Sequence, residues 1–85
     1  MPEVSRFYGI VVYMFFGDHN PPHFHAKYQS YEVKINIDDG MVQGKIPRRA
    51  LKLIYEWLDL HKTELIDNWK LLEQRKPINK IDPLK

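Results

Sequence analysis

Cysteine is absent from the chain, and that removes disulfide bridges, thiolate metal sites and thiol nucleophiles together. Long apolar runs are missing too. No stretch approaches the roughly 18 consecutive apolar residues of a membrane-spanning helix, and no cationic segment leads into an apolar one as in a signal peptide. The expectation is a cytoplasmic protein with no membrane partner. Charge of one sign is also scarce: 13 Lys and Arg against 11 Asp and Glu leave a net +2, short of the concentrated basic stripe that marks most nucleic-acid binders. The local basic groups, Arg48-Arg49-Lys52, Lys70-Arg75-Lys76 and Lys80 with Lys85, read as solvated helix and tail surface. What is present suits one soluble domain. The 85 residues are 44% hydrophobic and 28% charged, which argues against disorder and for a single core spanning 1–85.

Three of the four histidines fall within His19-Asn20-Pro21-Pro22-His23-Phe24-His25. Asn-Pro-Pro cannot continue a helix and pushes the residues before each proline toward extended geometry. An alternating run begins at Phe24, so His23 and His25 share one face of a strand. Asp18 and His19 lie across the turn, close enough in sequence to converge on them. Imidazoles titrate near neutral pH, bind borderline metals and transfer protons, so this is where chemistry could reside.

Tyr8 to Phe16 is a β-branched and aromatic run, apolar on both parities, which predicts a central strand or one covered on its second face. Phe24-His25-Ala26-Lys27-Tyr28 alternates, Gln29-Ser30 is a tight turn, and Tyr31 to Ile37 alternates as a half-buried strand. Asp39-Gly40 signals a hairpin and Met41-Val42-Gln43 a short return. The sheet is thus expected over 7–45, with three to four antiparallel strands. Pro47 suits a first helical position. Neither glycine nor proline recurs before Pro77, so 47–76 reads as helical. Ala50, Leu51, Ile54, Trp57, Leu58, Leu65, Trp69 and Leu72 share a stripe, with His61 and Asn68 in its middle. A continuous helix would be roughly 40 Å long at 1.5 Å per residue. A domain of this size has a radius of gyration of only about 12 Å. The helix therefore bends near His61-Lys62-Thr63, with Thr63 as a cap, or projects and needs a second copy. The tail 77–85 has apolar residues at 78, 81 and 84 and reads as an extended strap or edge strand. The expected class is α+β: a small antiparallel sheet on one long or bent amphipathic helix.

Ser5-Arg6-Phe7-Tyr8-Gly9-Ile10, Asp18-His19-Asn20-Pro21-Pro22-His23-Phe24-His25 and Pro47-Arg48-Arg49-Ala50-Leu51, with Glu56-Trp57 and Glu64…Asn68-Trp69 in the helix, resemble the small bacterial domain of unknown function numbered 4160. The resemblance covers nearly the whole chain. It implies a stand-alone bacterial α+β domain, often encoded beside another small protein, an arrangement that suggests a toxin–antitoxin-like pair. It carries no activity and no functional residues over to this chain.

The histidine cluster admits three readings. As a metal site, His23 and His25 bind zinc, nickel or iron with His19 and Asp18 completing the set. As an acid–base site, His19, His23 and His25 cleave RNA or another phosphate ester, with Arg6, Arg48 or Arg49 holding the phosphate and Tyr13 or Tyr28 assisting. As a structural turn, the histidines bond to backbone or recognise a ligand. His61 between Trp57 and Trp69 reads as a core residue with a satisfied tip, or as a fourth member of the cluster. Arg48 and Arg49 open a helix whose free N–H groups also favour an anion, against plain solvent exposure. The leading functional expectation is a protein–protein interaction module that works with an operon-neighbour protein through the histidine-bearing sheet face. The alternatives are a histidine-based ribonuclease or phosphoesterase, with or without a divalent metal, and a structural homodimer through the long helix.

Overall fold

The computed structural model describes residues 2–85. Five strands come first, β1 (Glu3–Phe7), β2 (Ile10–Tyr13), β3 (His23–Tyr28), β4 (Tyr31–Asn36) and β5 (Val42–Gly44), followed by one helix, α1 (Arg48–Glu73). The strands pair in chain order as one antiparallel meander. The class is the expected α+β, with one strand more. The apolar run from Tyr8 is not a single strand: Tyr8 and Gly9 both have positive φ (50° and 78°) and turn the chain between Phe7 and Ile10. Two positive φ values in a two-residue loop match the twist of a hairpin, so β1 forms upstream of the expected sheet boundary. At the other edge Gly44, at φ +109°, sits where an added Cβ would lie 2.6 Å from the Glu32 carbonyl oxygen. Only glycine lets β5 approach β4 that closely.

The register puts Val12, Ala26 and Val33 side by side and Phe24 beside Ile35. All five are buried. Against this face lies the helix stripe Ala50, Ile54, Trp57, Leu58, Leu65, Trp69 and Leu72, with Trp57 at 5.4 Å from the Phe7 ring and 5.8 Å from Phe24. No helix among the described residues is long and apolar enough to cross a membrane.

α1 bends at His61, whose φ −126° and ψ 23° are not helical. A straight helix of this length would run roughly 39 Å, beyond the molecule's longest extent of 34 Å. The bend folds it over the sheet, and the radius of gyration is 11.7 Å. A second copy is not needed to cover a projecting half. Thr63 does not make the expected cap; it lies inside the second segment, and the polar contact at the bend is His61 Nδ1 to Glu64 Oε1, 2.6 Å. Pro47 stands one position earlier than expected, as the N-cap, with its carbonyl accepting from the Leu51 N–H.

The tail is the expected strap. Asn68, buried on the helix stripe, donates to the Asn79 carbonyl and accepts from the Asn79 N–H, both at 2.9 Å. Trp57 Nε1–H donates to the Asp82 carbonyl at 2.8 Å. The Ile81 N–H reaches the Val4 carbonyl on the free edge of β1. Asn68 thus sits in an apolar stripe because it ties the tail down.

Candidate functional site

The loop 14–22 between β2 and β3 and the first half of β3 bring three ligating side chains together. His23 and His25 leave the same face of β3, opposite the core-facing Phe24 and Ala26. Asp18 reaches both from the loop: its Oδ2 lies 3.1 Å from His23 Nε2 and 3.2 Å from His25 Nε2. The three ligand atoms are all within 4.8 Å of one another. The prolines hold the loop by their carbonyls. Pro22 accepts from the Ile37 N–H at 3.0 Å, and Pro21 accepts from His23 Nδ1 at 2.9 Å.

Packing fixes both rings. The His23 side chain is 4% exposed, with Trp69 of α1 at 5.2 Å and His25 at 5.1 Å between centroids. The His25 ring is stacked on Tyr13, its cross-strand neighbour, at 5.4 Å and meets the Phe15 edge at 4.9 Å. This explains the apolar second face of β2: Tyr13 and Phe15 build a wall for the imidazoles. Burial, with the Glu32 charge adding to it, pushes the Tyr13 hydroxyl above its ordinary pKa, so it stays a neutral donor. Trp69 Nε1–H is buried without a hydrogen-bond partner, a cost accepted where the indole covers His23.

The hydrogen bonds fix the His23 tautomer. A carbonyl oxygen only accepts, so His23 Nδ1 donates to Pro21. Its Nε2 is left 3.1 Å from Asp18 Oδ2, and His25 Nε2 bonds to the same oxygen at 3.2 Å. Two ring nitrogens thus converge on one carboxylate oxygen, an arrangement that a metal ion can bridge.

Beside the triad opens a cleft of about 290 Å³ lined by Phe15, Gly17, Asp18, Trp69, Leu72, Glu73 and Arg75. The bend at His61 is what carries the last turns of α1 to this end of the sheet. The family model described as Domain of unknown function (DUF4160) matches residues 9–70. The chain belongs to this family. The matched span takes in Asp18, His23, His25 and Trp69, while Arg75 and the tail lie beyond it. No curated protein and no solved structure matches the chain, and the family's description names no activity, so function has to be argued from geometry.

Of the site residues expected from sequence, this DUF4160 chain brings Asp18, His23 and His25 together. His19 is exposed in the loop and outside that group. His61 is not a fourth member: it pairs with Glu64 and lies 5.6 Å from the Trp57 ring, because the bend places it away from the loop. Arg6 is engaged with Glu3 at 2.8 Å, which holds the Glu3 carboxyl below its usual range. Arg48 and Arg49 are exposed at the opposite terminus of α1 from Trp69. Trp69, read as core alone, is core and site wall at once. Arg75 reads in the sequence only as solvated surface with Lys70 and Lys76, Phe15 only as part of the first strand's second face, and Glu73 is not singled out. The only signal for Arg75 was a helix ending before Pro77 with no glycine to close it.

Proposed function

We infer that the domain is a divalent-metal-binding module. Asp18 Oδ2, His23 Nε2 and His25 Nε2 hold the ion; three protein ligands leave a position open on a four-coordinate ion, and Asp18 also lines the cleft. One observation carries this reading: His23 donates Nδ1–H to a backbone carbonyl while its Nε2 lies 3.1 Å from a carboxylate oxygen. Metal-ligating histidines almost always donate their second ring N–H to such a partner, which fixes the tautomer. An ion between ring and carboxylate would bond to both. The spacing suits it, since ligand atoms about 2.0–2.2 Å from zinc lie roughly 3 Å apart. Two histidines and one carboxylate with open positions suit iron(II), zinc or nickel, and such an ion would supply Lewis acidity at the cleft mouth.

The metal-free acid–base reading is weaker. Two imidazoles that face one carboxylate oxygen share a single partner and do not flank a scissile phosphate as separate acid and base. Isothermal titration of the purified chain with Zn²⁺ and with Co²⁺ tests the metal reading. The expected result is one ion per chain, with Asp18→Asn weakening binding at least about tenfold and leaving the far-UV circular dichroism unchanged. Absence of saturable binding, or wild-type affinity in the variant, would sink it.

An interaction module paired with the product of a neighbouring gene is a second reading. It draws on exposed apolar side chains at separate places on the surface: Tyr8 in the first turn, Phe16 in the 14–22 loop, Tyr31 at the start of β4, Met41 before β5 and Leu60 on α1. Failure of the two products to co-purify would remove it.

A further inference from the structure

We propose that the cleft beside the triad is a pocket for a small monoanionic molecule with an apolar body, its carboxylate or phosphodiester held between the metal ion's open position and Arg75. The inference rests on the metal reading and adds the ligand's chemistry to it. Arg75 follows the C-cap of α1 at φ +57°. Its N–H donates to the Leu72 carbonyl, and the Lys76 N–H to that of Leu71. These are the two bonds of a Schellman closure, whose left-handed position glycine normally takes. An arginine there is strained, and unlike Tyr8, which also has positive φ, its side chain lines a cleft that could use it. A cation at a helix C-terminus also suits the helix dipole, but that benefit does not require the left-handed position.

Two further features point the same way. Arg75 lines the same cleft as Asp18, yet none of the ion pairs among the described residues involves it. A guanidinium without a carboxylate partner, on the wall of the cleft that Asp18 also lines, offers its planar fork to a carboxylate or phosphodiester. The remaining wall is apolar: Phe15, Trp69 and Leu72. At about 290 Å³ the cleft is at the small end of ligand pockets, which span roughly 300–1,000 Å³, so a single ring with one charged group is the scale of ligand it takes. Glu73 on the same rim repels a second negative charge, which selects monoanions over dianions of the same size.

The test uses the Co²⁺-loaded full chain, with benzoate and methyl phenyl phosphate, a monoanionic diester, as probes and phthalate as the dianionic control. Both the cobalt absorption spectrum and probe affinity are read. The expected result is that at least one probe shifts the cobalt bands and binds saturably, with phthalate weaker. Which probe binds more tightly tells carboxylate from phosphodiester as the natural group. Arg75→Gln should weaken the probe at least tenfold at unchanged Co²⁺ affinity, and Arg75→Lys should recover part of the loss. Arg75→Gly should raise the thermal midpoint, since glycine suits this φ, while still losing the probe. A purely structural Arg75 would not separate stability from binding in this way. Cobalt that binds but ignores every probe, or probes that bind Arg75→Gln as tightly as wild type, would overturn the pocket and leave the metal reading standing. Cobalt that does not bind at all would overturn both.

Discussion

His23 and His25 differ by two positions and have unlike roles. His23 is closed in by Trp69, by His25 and by its own bond to the Pro21 carbonyl, so it supports the loop as well as the triad. His25 is half-buried against Tyr13 and Phe15, and its polar contact is with Asp18 alone. His23→Ala should therefore cost about 2–4 kcal/mol, from the cavity under Trp69 and the Pro21 carbonyl left without its donor. His25→Ala should cost about 1 kcal/mol or less. Urea unfolding of the two single variants measures this, and equal losses would show that the rings are not divided between support and ligation. The consequence for function is practical. His25→Ala and Asp18→Asn read out the site in a folded protein, whereas replacing both histidines together would confound ligation with unfolding. At this scale the sequence was informative. Two histidines at i and i+2 had to share a strand face, and Asp18 was close enough in the chain to join them. The loop path that leaves His19 in solvent was not readable, since it depends on which carbonyls the rings and Ile37 find.

The elements were legible where their period was clean. β3, β4 and their turn follow the alternation of Phe24 to Ile37, and α1 follows its 3.6-residue stripe. The first hairpin was hidden because its turn is Tyr8-Gly9, whereas the usual signals at its first position are asparagine, aspartate or glycine. Tyr8 takes φ +50° with 59% of its surface exposed, so it bears the left-handed strain with little packing in return. Tyr8→Asn should stabilise the domain by about 0.5–1 kcal/mol, somewhat less than the roughly 1–2 kcal/mol a left-handed side chain costs. A higher urea midpoint at unchanged slope would show it. A lower midpoint would mean that the phenol ring holds the hairpin end in some other way. The bend of α1 falls at His61, the first of the three residues where the sequence allowed a break; helix length against domain size left a projecting straight helix as the other possibility. The direction of the bend was not legible. The meeting of Trp69, Glu73 and Arg75 with the 14–22 loop follows from that angle, which no local pattern encodes, so the cleft half of the site emerges only from the fold.

At the scale of the whole molecule, the helix covers the core face of the sheet and the tail closes the seam between the two. A domain of 85 residues has little stability in reserve, about 5–10 kcal/mol by the usual per-residue scale. The tail carries a large share of it. Ile81 is buried, and Ile78 and Leu84 pack on the core. Asn68, Trp57 and the Val4 carbonyl all direct their polar groups at tail backbone. Burying an isoleucine contributes about 1.5–3 kcal/mol, and each of these hydrogen bonds about 1 kcal/mol. Ending the chain at Lys76 should therefore remove about 4 kcal/mol or more and lower Tm by roughly 15–30 °C. Circular dichroism of the shortened chain measures the loss. The triad and Arg75 remain in that chain, so the same sample ties stability to the site. If the folded state alone assembles Asp18, His23 and His25, Zn²⁺ at a hundredfold excess over its Kd should restore about 2.7 kcal/mol. The same addition should do nothing for a shortened chain that also carries Asp18→Asn. A Tm unmoved by truncation would mean that Asn68 and Trp57 find other partners and that the strap lies on a core already closed. Recovery by zinc in the Asp18→Asn chain would mean that the ion binds somewhere other than the triad.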